Sequence, residues 1–407
     1  MAGFLKAENY PSLQAAVDAS APWETVVVPP GEWECGALKL KSNLIIRLEA
    51  GAVLRAPREL DACLPADMFN RETSLTHCFF GGFGIENVII EGDGMLECSG
   101  DAFWANYDNT PSPADAVLPH QGVYRSAPYR PSAMLFVNCR NITLRGFTIR
   151  NSAAYTVWMV GCETVRIERI TIRNHRRGPN TDGLDIDCCR DVWIDGCDIN
   201  AGDDCIALKS DIVLLGRDQA CERINVSNCL LSSPCCAVRL GYEGDGVIRD
   251  VIIADSIIHD CNKGFDLISV VPAGQRFGIS RGSQIENILF RDAVMRNVRQ
   301  AMAVWSGTDE PADEEKYQGS IRNLRFSDLE IDATDSSFFG GLAVSEVALN
   351  NIRMCVRRNP FVYRNVPPVG MPNVWGHGYL PNPLTFFRVA ELALADVRIS
   401  EKMVSPD

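Results

Sequence analysis

The sequence predicts an all-β fold, a right-handed parallel β-helix closed at its start by a short helix. Three observations carry this expectation. A short unit recurs along the chain. Its strands hold three to five residues with period-two alternation. Almost no segment shows the 3.6-residue period of a helix.

The unit opens on a small or polar residue followed by alternating apolar positions. It reads Asn87-Val-Ile-Ile, Asn141-Ile-Thr-Leu, Thr164-Val-Arg-Ile and Asp191-Val-Trp-Ile. It continues as Arg223-Ile-Asn-Val, Asp250-Val-Ile-Ile, Asn287-Ile-Leu-Phe and Asn323-Leu-Arg-Phe. From Asn141 the steps are 23, 27, 32, 27, 37 and 36 residues, so the shortest is near one bare coil and the others add loops. No such unit buries its apolar face alone; stacked, the units share one continuous core.

Taken in order, the N-terminal segment 10–20 holds Pro11 and Ser12-Leu-Gln-Ala-Ala-Val-Asp-Ala, an amphipathic helix that would cover the open end of the core. Thr25-Val-Val-Val and Leu44-Ile-Ile-Arg-Leu begin the strands. Segments 101–131 and 357–383 are long, Pro-rich and irregular, and are expected to flank a groove. The whole chain, 1–407, reads as a single β-helix domain.

The cysteines keep the same register. Cys139, Cys162, Cys189 and Cys221 each lie two residues before a unit start, and Cys197 and Cys229 each lie six after one. Matching offsets point to like residues stacked inside the helix as reduced, buried thiols. The chain opens without a basic stretch leading into an apolar one, so a cytoplasmic location is expected.

The 407 residues are 46% hydrophobic and 22% charged, which argues against wholesale disorder, and no run approaches a membrane span. A formal charge of -13 argues against a nucleic-acid partner or an anionic membrane surface. The oligomeric state is open, a homo-oligomer included.

The densest acidic region is Asn180-Thr-Asp-Gly-Leu-Asp-Ile-Asp187, followed by Gly202-Asp-Asp-Cys-Ile-Ala-Leu-Lys209. Asp182 and Asp203 are 21 residues apart, close to one bare coil. Coils stack at about 4.8 Å, so Asp182, Asp203 and Asp204 should share one surface patch. Gly202 could supply the kink that turns both neighbouring carboxylates outward. Carboxylates at such range repel, and at least one should keep its proton. Glycoside hydrolysis needs that division, one protonated acid for the leaving oxygen and one ionised base for water. Carboxyl groups about 6.5–9.5 Å apart would leave room for water and invert the anomeric centre. The rival for such a cluster is a Ca²⁺ site.

These residues resemble glycoside hydrolase family 28, the polygalacturonase-like enzymes. Asn180-Thr-Asp-Gly and Gly202-Asp-Asp-Cys match two signature blocks. Pro29-Pro-Gly-Glu-Trp, Leu40-Lys-Ser-Asn-Leu and Leu48-Glu-Ala-Gly-Ala-Val-Leu resemble the N-terminal coils. The resemblance implies a parallel β-helix and hydrolysis with inversion, without metal or other cofactor. It implies Asp203 as general acid, Asp182 and Asp204 as the residues that orient and activate water, and Asn180 as a shaper of the site. Lys209 matches a position often basic or polar in the family.

Two family blocks differ. Cys236 stands where the resemblance places a histidine. Asp266 and Ile268 stand where it places two cations that hold a galacturonate carboxylate. An Asp there would repel a carboxylate, so the substrate expected is a pectin-derived oligosaccharide not restricted to galacturonate. Arg239 is a candidate to replace part of the clamp. Asn180, Lys209, Asp266, Tyr242, Glu243 and Trp305 are further candidates for substrate binding, with Asp245, Trp158 and His175 behind them. The long loops suggest action at chain ends. A polysaccharide lyase and a non-catalytic carbohydrate-binding β-helix are the alternatives.

Overall fold

The computed structural model describes residues 3–66, 69–70, 73–105, 124–358 and 380–403. Among the described residues, thirty strands form one sheet that winds as a right-handed parallel β-helix with three faces. The first face includes Pro131–Val137, Val157–Val160, Leu184–Asp187, Ile206–Lys209, Cys236–Gly241, Lys263–Val271 and Gln300–Thr308. The second includes Arg140–Arg145, Glu163–Glu168, Arg190–Asp195 and Cys221–Ser227. The third includes Thr148–Arg150, Thr171–Arg173, Asp198–Asn200 and Leu230–Ser232. From Val247 onward the second and third faces merge into single long strands, such as Val247–His259 and Gln284–Val298.

The register follows the repeat read from the sequence. Ile142, Val165, Val192, Ile224, Val251, Ile288 and Leu324 stack in one column of partners. The polar residue that opens each unit has a structural reason. All eight, Asn87 through Asn323, sit at φ between 51 and 60°. This left-handed corner turns the chain from the first face to the second, and Asn and Asp tolerate it best. The Asn side chains also ladder: Asn87 donates to Asn43 and Asn141 to Asn87, both at 2.8 Å.

The inward rows fill the helix with one continuous apolar core. Phe265, Phe290 and Phe326 stack along the axis at 4.1 and 4.9 Å between ring centroids. All sixteen cysteines are free, and fourteen are buried. The in-register thiols form a ladder. Cys139, Cys162, Cys189 and Cys221 donate to the carbonyls of Gly82, Phe136, Met159 and Ile186 on the preceding coil, at 3.3–3.4 Å.

Helix α1, Leu13–Ala19, covers the first coil through Leu13, Ala16 and Val17. Ser12 is its N-cap, accepting from the Ala15 amide, so Pro11 lies just outside the helix rather than within the expected 10–20 span. At the other end, strand Leu384–Met403 pairs with Ser337–Arg358, its one partner strand among the described residues. Of the two long loops, 106–123 and 359–379 lie outside the described residues, so a groove-flanking role for 101–131 and 357–383 is not addressed by this structure.

Candidate active site

The first face carries the acidic blocks. In Leu184–Asp187 the alternation sends Leu184 and Ile186 into the core and Asp185 and Asp187 outward. Across the coils, Asp185, Ala207, Arg239 and Asp266 are successive partners, and Asp187 pairs with Lys209. Leu184 pairs with Ile206, so Asp182 lies one coil below Asp204. An oxygen from each of Asp182, Asp203 and Asp204 lies within 4.8 Å of the others. That is closer than the separation expected for an inverting pair, so distance alone does not argue for inversion.

Gly202 permits this approach, though not by the expected kink. It is absent from the positive-φ positions. A Cβ there would overlap Thr181 Oγ1 and fall 2.5 Å from the His175 carbonyl and 2.8 Å from that of Gly178. The glycine is needed because the 175–181 turn packs directly against it.

The contacts of the three carboxylates separate them. Asp204 is buried and takes Arg239 Nε on Oδ2 at 2.6 Å and Nη2 on Oδ1 at 3.2 Å. Burial works to raise its pKa, but the guanidinium outweighs that and holds the carboxyl below the usual range. Asp203, half-buried, meets two neutral groups through its side-chain oxygens, Asn180 Nδ2 at 3.4 Å and the Cys235 thiol. Desolvation and the Asp204 charge push it up to about 6. Asp182 is raised well above the ordinary value, by burial first and then by Asp185 and Asp203. Its Oδ1 is buried and has no hydrogen-bond partner among the described residues.

Asn180 is itself held: Arg130 Nη2 donates to Asn180 Oδ1 at 2.9 Å, and Nη1 donates to the carbonyls of Ala153 and Pro179. Three carboxylates at this spacing could hold a divalent cation. Arg239 already occupies both oxygens of Asp204, and a cation would have to compete with it.

The remaining expected residues divide. Lys209 is buried behind the carboxylates. It pairs with Asp185 at 2.8 Å and Glu243 at 3.6 Å, and donates to Tyr155 Oη at 2.9 Å. Its charge is paired inside the protein, not presented at the surface as the sequence reading expects; Glu243 stays partly exposed at its edge. Asp266 is corrected as well. It is buried, with Lys263 Nζ at 3.0 Å and Arg239 Nη1 at 3.4 Å, so its carboxylate is paired with cations of the protein.

Tyr242 and Trp305 are buried with Ile268, Val270, Phe338 and Leu380 in a separate apolar cluster, as packing residues rather than exposed stacking platforms. Trp158 packs against Phe69 and Tyr155. Asp245 accepts from Ser280, Arg281 and Gly282 and anchors their turn. His175 accepts from the Arg177 amide and packs against Trp104 and Tyr124.

Asp185, Lys263, Arg130 and Tyr155 were missed in the sequence. Asp185 was readable from its apolar–acid alternation. Lys263 needs the register across an irregular coil, and Arg130 has no local signal.

Comparison with known proteins gives the family and the fold. The family model described as Glycosyl hydrolases family 28 matches residues 22–309. The chain belongs to that family. A probable polygalacturonase of Vitis vinifera is 26% identical over 347 residues, covering 79% of this chain and 66% of that protein. One from Arabidopsis thaliana is 33% identical over 126 residues, 31% of this chain and 23% of that protein. The chain thus spans less than two thirds of the length of these relatives.

Its fold matches the Yersinia enterocolitica family 28 exopolygalacturonase at a TM-score of 0.72 and 17% identity, covering 99% of this chain and 78% of that one. The hyperthermoactive exopolygalacturonase of Thermotoga maritima matches at 0.71 and 19%, covering 95% and 91%. Cys236 and Asp266, expected from the sequence to differ from the family's blocks, meet each other and Arg239. Cys236 Sγ lies 3.0 Å from Arg239 Nη2 and 3.4 Å from Asp266 Oδ2.

Proposed function

We propose that this chain hydrolyses glycosidic bonds in pectin-derived or related oligosaccharides. The observation that carries the reading is the split between neighbouring carboxyls. Asp203 is pushed up to about 6, while Asp204 is held ionised by Arg239. Asp203 gives its proton to the leaving oxygen. Asp204 takes a proton from the attacking water, and neutral Asp182 orients that water through its free oxygen. Inversion is the outcome proposed, on the family resemblance.

The substrate is proposed to include neutral sugars. Arg239, Lys209 and Lys263 are each paired with carboxylates of the protein, and Arg130 is turned toward carbonyls and Asn180. None of these four is held ready for a sugar carboxylate. Action at chain ends is part of the proposal, as is a cytoplasmic site of action, which sixteen free thiols support. Among the described residues no helix is long and apolar enough to cross a membrane.

The test is a panel of reducing-end-labelled oligosaccharides, uronic and neutral, given to the wild type and to Asp203→Asn. Proton NMR of the first product reads the anomer. Cleavage by the wild type alone supports hydrolysis. Equal cleavage by the variant, or none by either, overturns it. A product that retains its anomeric configuration overturns inversion.

A further inference from the structure

Asp203 and Asp204 are neighbours with the same chemistry, so only their contacts can decide which is acid and which is base. We propose that Arg239 is the positioning residue that makes Asp204 the ionised member of the pair, and that Asp266 and Lys263 lock it in that post. The catalytic consequence rests on the hydrolytic reading above; the geometry does not.

Four buried groups alternate in sign across three coils. Asp204 receives Arg239 at two points, 2.6 and 3.2 Å. The same guanidinium reaches Asp266 Oδ2 through Nη1 at 3.4 Å. Asp266 Oδ1 receives Lys263 Nζ at 3.0 Å. All four side chains are 7% exposed or less. Arg239 cannot swing toward Asp203 without leaving two buried carboxylates, Asp204 and Asp266, short of a partner, which is strongly unfavourable.

Room for the guanidinium comes from two small neighbours. Cys236 touches Nη2 at 3.0 Å, where an imidazole would overlap it, and Ala207 is the residue between Asp185 and Arg239 in the outward row. Cys236, Arg239 and Asp266 are therefore one coupled set. Lys263, which the repeat makes the partner of Cys236, completes its charge balance.

The other groups around Asp204 act more weakly than the guanidinium or in the opposite sense, although the Cys235 thiol and Lys209 add to its lowering. Asp182 and Asp185 on the coil below and Asp203 beside it are acidic. Lys209 is taken by Asp185 and Glu243. The thiols of Cys235 and Cys236 are neutral donors, both raised.

The experiment titrates aspartates carrying ¹³C at Cγ in the protein without substrate, with the Asp204 signal assigned by its loss in Asp204→Asn. In Arg239→Gln the Asp204 midpoint should rise by at least about one pH unit, and by less in Arg239→Lys, which keeps the charge and loses the two-point contact. The low-pH limb of kcat/KM should move with it. A midpoint that stays in place in both variants, or a shift confined to Asp203, overturns the assignment. Arg239→Lys serves if Arg239→Gln does not fold. A wild type that cleaves nothing, with the Asp204 shift present, sinks the hydrolytic reading and upholds this one.

Discussion

At the scale of single residues, protonation is set by what lies within a few ångströms. Asp203 keeps its proton to about pH 6, so kcat/KM should fall roughly tenfold per unit above that pH as the acid is lost. In Asp203→Asn the rate should drop about 10²–10⁴-fold at every pH, with the melting temperature little changed, since Asp203 is only half-buried.

The same carboxyls act on stability. Burial pushes Asp187 up to about 7 and Asp203 to about 6, and holds Asp182 well above its value of 3.8 in the open chain. Their stabilising contribution is complete below about pH 4 and is lost as pH rises through the folded values. Carboxyls held low, such as Asp204, Glu91 and Glu222, act oppositely, but only as pH falls below their unfolded range. Between pH 5 and 8 the raised group dominates. Calorimetry should therefore show Tm falling over that interval, with a flatter slope in Asp187→Asn; a rising Tm would contradict the assignment.

At the scale of the element, the corner residues and the close glycine are the informative positions. Thr164 holds φ 58° between Asn141 and Asp191 in the corner column. A β-branched residue is strained there, whereas Asn is suited to it and could join the ladder. Thr164→Asn should stabilise the protein by about 1 kcal/mol in urea unfolding. Gly202→Ala should do the reverse. Its methyl meets two carbonyls and a hydroxyl, so the 201–204 turn must move and take Asp203 with it. Activity should fall at least as steeply as stability; full activity would show that the turn is not held by this contact.

These elements also show how far the sequence could be read. The eight repeat starts were legible because a left-handed corner selects polar, mostly Asn or Asp, residues on every coil. Arg130 was not legible, because its guanidinium reaches Asn180 across 50 positions from outside any repeat. Asp266 was legible as a departure from the family block, but its partner Lys263 emerged only from three-dimensional register.

At the scale of the whole molecule, a solenoid buries its core by stacking, and its ends decide whether it stays solitary. Helix α1 seals the first coil with Leu13, Ala16 and Val17. Deleting residues 1–20 should expose the edge strand and core below, giving aggregates in light scattering at temperatures where the full chain remains dispersed. In the middle of the stack, Phe290→Ala opens a gap between Phe265 and Phe326 and should cost about 3–5 kcal/mol.

The sequence alone determined the solenoid, the coil register, the stacked thiols and the meeting of three aspartates. Each follows from periodicity, which turns residue number into height along an axis. Tertiary structure alone decided which aspartate receives the arginine, and that Lys209, Asp266, Tyr242 and Trp305 are buried. Those outcomes depend on side chains reaching across coils to particular partners. Spacing places residues on a face, but it does not say which cation a carboxylate will hold.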